Sequence, residues 1–70
     1  MKNTIKVERA KLGISQTQLA ESVGVSKQTI HSIESGRFVP STVLALKIAR
    51  FFKVRVEEVF ELEQSDLDGK

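Results

Sequence analysis

Two short helical segments, set almost end to end in the chain, constrain this sequence more than anything else in it. The first opens at Ser15. There Ser15-Gln16-Thr17-Gln18 has the form of a capping box, in which the serine oxygen and the glutamine amide satisfy backbone groups left open by the first turn. Leu19, Ala20 and Val23 make its inner stripe, and Gly24 ends it. The second opens at Ser26, again a cap residue, and runs to about Ser35, with Ile30 and Ile33 inward and Gly36 as its stop. Only Gly24-Val25-Ser26 separates them. So short a link forbids antiparallel packing unless the chain turns sharply, and Gly24 supplies the freedom for that turn. Ala20 is small where the helices would cross, and Leu19, Val23, Val25, Ile30 and Ile33 are apolar where the pair must sit on a core. Such a pair, crossing near a right angle, leaves the outer face of its second helix free.

That free face is Lys27, Gln28, Thr29, His31, Ser32 and Ser35. It offers donors and acceptors, with no bulky apolar residue and no acid. Base edges in the major groove of DNA require that chemistry: amides for adenine, cations for guanine, hydroxyls for either. A face needed only for solubility would mix Glu with Lys.

The remainder divides by the same turn and cap signals. A helix is predicted from Thr4 to Leu12, with Ile5, Arg9 and Leu12 at helical spacing and Gly13 as its stop. After a loop, Arg37-Phe38-Val39-Pro40, Ser41 caps a helix of Thr42 to Phe52 whose inner face is Leu44, Ala45, Ile48, Ala49 and Phe52. A short turn, Val56 to Val59, follows, and Phe60-Glu61-Leu62 alternates like a brief strand. The fold predicted is all-α, five short helices around one core with a central helix-turn-helix and a short C-terminal strand. Residues 1–63 make a single domain. Residues 64–70 are polar, have no reason to order, and read as a flexible acidic tail.

Seventy residues bury only about 60% of their unfolded surface, so the stability margin is thin. No cysteine is present, and one histidine without cysteine leaves no plausible metal site. By elimination, a second copy is the staple expected. Phe51, Val54, Val56, Val59, Phe60 and Leu62 exceed what one small core hides. Some of them are candidates for a dimer interface, the alternative being plain core packing. No stretch resembles a signal peptide or a membrane span, so a cytoplasmic location is expected, with no membrane contact. Residues 1–55 carry ten Lys or Arg against three Glu, a net of +7, whereas residues 56–70 are acidic at −5. A basic body favours a polyanionic partner.

The run from Ile14 through Val23-Gly24-Val25-Ser26-Lys27-Gln28-Thr29-Ile30 to Gly36 resembles the helix-turn-helix of Cro/lambda-repressor-like transcriptional regulators, also called the xenobiotic-response-element family. Within that family the chain is similar to a compact, stand-alone prokaryotic branch, bacterial or phage. A Lys-Val-Glu-Arg-Ala start, a Val-Pro-Ser loop at 39–41 and an Ala-Leu-Lys-Ile-Ala-Arg-Phe-Phe helix at 45–52 carry this likeness. The resemblance implies that Gln16 clamps a phosphate and buttresses the recognition helix. It implies that Ser26, Lys27, Gln28 and Ser32 touch bases or nearby phosphates, and that Ser35, Arg37 and Phe38 meet the DNA backbone. It further implies a structural ion pair between Arg9 and Glu34. Three positions depart from the family pattern. Lys53 stands where relatives usually have Gly, and Arg55 where they often have Ser or Thr as a cap. His31 replaces a common Asn, which bears on base preference and pH sensitivity.

Double-stranded DNA is therefore the expected partner, with Gln16, Ser26, Lys27, Gln28, Thr29, His31, Ser32, Ser35, Arg37 and Phe38 as the contact set. A homodimeric repressor on a two-fold symmetric operator is the reading the sequence favours. The rival is a protein-interaction module on the same fold, an antitoxin or a transcriptional co-activator. No enzyme is expected, because no paired carboxylates, nucleophile cluster or phosphate-cradling glycine loop is present. No cofactor and no small-molecule ligand is implied.

Overall fold

The computed structural model describes residues 1–68. Strand β1 (Lys2–Asn3) leads into α1 (Ile5–Leu12), α2 (Gln16–Val23), α3 (Lys27–Glu34), α4 (Thr42–Phe52) and α5 (Val56–Val59); β2 (Phe60–Glu61) and α6 (Gln64–Asp68) follow. The two strands pair antiparallel, Lys2 opposite Glu61 and Asn3 opposite Phe60, which ties the two ends of the fold together.

Each helix start has a local cause. Ser15 and Gln18 close the capping box of α2: the Ser15 Oγ accepts from the Gln18 amide at 3.0 Å, and the Gln18 Oε1 accepts from the Ser15 amide at 2.8 Å. Ser26 and Ser41 cap α3 and α4 through single bonds to the amides of Thr29 and Leu44. The start of α1 is held differently. Asn3 accepts from the Ile5 amide through its Oδ1 and donates through Nδ2 to the Ile33 carbonyl at 2.9 Å. One side chain thus caps α1 and fastens it to the end of α3. Thr4 donates from its amide to the Val59 carbonyl and from its hydroxyl to the Glu58 carbonyl, joining α1 to α5.

The core draws on every helix from α1 to α5: Ile5, Leu19, Ala20, Val23, Ile30, Ile33, Leu44, Ile48 and Phe52, closed off by Val59 and Phe60. Leu12, at helical spacing from Ile5, is 55% exposed at the last residue of α1, so only the start of that helix is buried in the core.

Two helix ends share one backbone conformation with different residues. Gly24 turns the chain between α2 and α3 at φ 78°, and the space where its Cβ would lie is open, so the dihedral alone accounts for the glycine. Lys53 ends α4 at φ 59°, ψ 41°, the one non-glycine residue at positive φ among the described residues. An L-residue there costs about 1 kcal/mol or somewhat more. The strain is sustained because the amides of Lys53 and Val54 satisfy the carbonyls of Arg50 and Ala49. Two residues later Arg55, which has no acceptor, cannot cap α5. Glu58 supplies the other half of a capping box instead, accepting from the Arg55 amide at 2.7 Å.

The chain after Glu63 differs from the unstructured tail read from sequence. Gln64–Asp68 form a short helix. The Asp66 carboxylate accepts from the Glu63 amide at 2.8 Å, a reciprocal cap, and the Met1 amino group lies 3.0 Å from Glu63 and 3.1 Å from Asp66. These contacts join the two ends of the chain, which is why a local reading of a polar segment did not find them. The rest of the acidic tail, residues 69–70, lies outside the described residues.

Candidate nucleic-acid interface

Helix α3 is amphipathic in the sense needed to stand proud of the globule. Ile30 and Ile33 are buried in the core, whereas Lys27, Gln28, His31 and Ser35 are exposed and Thr29 and Ser32 half-buried. The side chains of Lys27, Gln28, Ser32 and Arg37 make no hydrogen bond or ion pair within the described residues, so their donors and acceptors are available to a partner. Three hydroxyls at the ends of this helix are already engaged. Ser26 Oγ accepts from the Thr29 amide and lies 3.0 Å from Thr29 Oγ1; Ser35 donates to the Ser32 carbonyl at 3.0 Å. These three are helix-end chemistry first, and what remains for base reading is concentrated in Lys27, Gln28 and Ser32.

A polar cluster behind α3 sets its angle. Arg9 of α1 meets Glu34 of α3 with two bonds, Nε to Oε2 at 2.6 Å and Nη2 to Oε1 at 3.2 Å, and its Nη1 donates to the Ile14 carbonyl at 3.0 Å. The pair is largely withdrawn from water, with side chains 15% and 9% exposed. Hydrogen bonding to the Glu34 carboxylate raises the Arg9 pKa above the ordinary guanidinium value despite desolvation. Gln16, the first residue of α2, donates from Nε2 to Glu34 Oε1 at 3.1 Å and lies 3.4 Å from His31 Nδ1. The last contact requires the tautomer whose Nδ1 carries no proton. Gln16 therefore ties the start of α2, where its free amides lie, to the C-terminal half of α3.

Lys6 lines the same recess as Gln16, His31 and Ser35. Sequence reading missed it. The available signal was its spacing: Lys6 stands one turn before Arg9, on the side of α1 turned toward α3. In the loop after α3, Arg37 and Phe38 donate their amides to the Ser32 carbonyl, and the Phe38 side chain is left 49% exposed beside α3.

The six residues read as dimer candidates separate. Val59 and Phe60 are 1% and 9% exposed and belong to the monomer core, in one cluster with Ile5, Ile48 and Phe52. That corrects the reading for those two. Phe51 packs edge-on against Phe52, their centroids 5.2 Å apart, and is half-buried. Val54 and Val56 line an open groove with Val43 and Leu46, and Leu62 is exposed elsewhere. Val43 and Leu46, 65% and 52% exposed, were not read from the sequence. They belong to a second apolar face on α4, which an amphipathic reading of one stripe passes over.

A helix-turn-helix family model matches residues 5–59, from the first residue of α1 to the last of α5. The chain belongs to the Cro/lambda-repressor-like helix-turn-helix family of DNA-binding transcriptional regulators. It is 50% identical over 66 residues to the uncharacterised HTH-type transcriptional regulator YgzD of Bacillus subtilis, covering 94% of this chain and all of that one. An HTH-type regulator of Methanocaldococcus jannaschii is 47% identical over 66 residues, 94% of this chain and all of the relative. Another, of Archaeoglobus fulgidus, is 44% identical over the full length of both. The relatives thus extend to archaea as well as bacteria. No helix among the described residues is long and apolar enough to cross a membrane.

Proposed function

We propose that this regulator is a homodimeric repressor that binds a two-fold symmetric DNA site, each copy laying α3 in a major groove. The observation that carries the reading is the division of α3 into a buried isoleucine edge and a bare polar face without a carboxylate. Lys27 and Gln28 read base edges, with Ser32 beside them; a good bidentate contact discriminates by about 1–3 kcal/mol. Gln16, held by Glu34, clamps a phosphate at the start of α2, and Lys6 and Arg37 add phosphate contacts on either side. Each neutralised phosphate steepens the salt dependence by about 0.9 in the logarithmic slope. His31 flanks the clamp, and Ser26, Thr29 and Ser35 contribute mainly by fixing the ends of α3. Arg9 and Glu34 serve as its internal brace.

The dimer face supported best is the open groove on α4 and α5 lined by Val43, Leu46, Val54 and Val56, an apolar strip that a monomer of this size leaves in water. Two-fold pairing sets half-sites about 34 Å apart on one side of the duplex. Repression would follow from occupancy of the site by the bound dimer. Selection of bound sequences from random duplex DNA tests the proposal. The expected product is a palindrome with half-sites about one helical turn apart; recovery of unselected sequence would overturn it.

A further inference from the structure

Beside α3, on the flank away from Gln16, lies a shallow recess of about 240 Å³ walled by Ser26, Gln28, Thr29, Ser32 and the Phe38 ring. Its chemistry is lopsided. The Ser26 hydroxyl is committed to the Thr29 amide and hydroxyl, so Thr29 offers its methyl more readily than its oxygen. Gln28 and Ser32 keep free polar groups. Phe38 stands 49% exposed on a loop whose Arg37 and Phe38 amides both donate hydrogen bonds to the Ser32 carbonyl, so its backbone is held beside α3. An exposed aromatic ring is costly unless something apolar covers it, and here it stands at the edge of a face otherwise made of donors and acceptors.

Of the four bases, only thymine presents both an apolar group and an acceptor to the major groove, its C5-methyl and O4. We propose that Phe38 is a specificity-determining residue: with Thr29 it receives the methyl of one thymine in each half-site, while the Gln28 amide donates to O4 of that base. This rests on the reading of α3 as a major-groove helix and adds to it the identity of one base and the group by which it is read. The 5-methyl of a methylated cytosine occupies the same position in the groove and would be received in the same way.

The test takes the selected site and replaces its thymines one at a time by deoxyuridine, which lacks only the methyl. Binding is measured for the wild type and for Phe38→Ala, whose folding is not at risk at so exposed a position. One thymine per half-site should lose about fourfold in affinity on demethylation, the ~0.8 kcal/mol of a buried methyl-sized group. In Phe38→Ala that loss should vanish. A methyl penalty that persists in Phe38→Ala, or no thymine with a penalty at all, overturns the inference while sequence-specific binding stands. If Phe38→Ala weakens every sequence alike and leaves the penalty in place, the ring rests on sugar and phosphate and the inference fails. Loss of all sequence preference in the wild type would instead overturn the major-groove reading beneath it.

Discussion

Helices α3 and α4 each bury one side and expose the other, yet their exposed sides are chemical opposites. Outside α3 the chain places Lys27, Gln28, His31 and Ser35; outside α4 it places Val43 and Leu46 with Lys47 and Arg50 along the rim. Polar groups left in water are already solvated and gain by exchange with equally polar base edges. Apolar groups left in water gain by any burial, whichever surface supplies it. The first face is therefore suited to discrimination and the second to association. A protein of this size has room for one of each.

The largest effect should come from removing what braces the first face. Glu34→Ala strands the Arg9 guanidinium in a site that is mostly dry and should cost about 3 kcal/mol of stability, read by denaturant unfolding. A loss under about 0.5 kcal/mol would mean that the pair is solvated and that α3 does not depend on it. Next is the second face. Leu46→Glu should weaken dimerisation about a hundredfold, from roughly 1.5 kcal/mol of burial lost in each copy. Sedimentation equilibrium should register the change while base preference in the bound fraction stays as it was. If the variant remains as dimeric as the wild type, association uses another surface.

Gln28→Ala does the reverse, flattening discrimination by about 1–3 kcal/mol at one base position with the oligomeric state unchanged, as a repeated DNA selection would show. A smaller effect is expected at Lys53, at the edge of the second face. Lys53→Gly relieves the positive φ and should add about 1 kcal/mol, raising Tm by roughly 4–8 °C. A decrease would show that the lysine side chain contributes more than its backbone strain costs.

The smallest effect concerns α6. The backbone amide of Glu63, and after it the Met1 amino group, lower the Asp66 pKa below its usual 3.8; bonds to Glu63 and Asp66 raise that of the Met1 amine above 8.0. The Asp66 contribution is thus present above the ordinary aspartate value and is lost as pH falls through the lowered one. The Met1 contribution is complete below 8.0 and is lost as pH rises through the raised one. NMR shifts of Asp66 and Leu67 should report α6 docked at neutral pH and loosened at both extremes. Shifts that stay constant from about pH 2 to about pH 10, across the ordinary carboxylate and amine ranges, would show the contacts do not hold it.

Much of this was legible in the residues. Ser15, Ser26 and Ser41 mark three helix starts because a hydroxyl one residue before the first helical residue satisfies an amide three positions on, and Gly24 marks the turn because its dihedral is local too. The buried stripes of α2, α3 and α4 follow from spacing alone. The polar face of α3 could be read in advance for the same reason, since a residue's side of a helix is set by its neighbours three and four positions away.

What the chain alone could not decide involves partners far apart in sequence. Val59 and Phe60 look as apolar as Val54 and Val56, and only the tertiary fold, which draws the first two into the core cluster, separates core from groove. Residues Gln64–Asp68 gain order from an amine at the other end of the chain, 65 positions from Asp66. Lys6 joins the α3 recess because α1 and α2 meet α3 there. Local hydrogen bonds and helical spacing are written within a few residues of one another. Burial and neighbourhood depend on the whole path of the backbone, and for this protein that is where the surfaces were assigned.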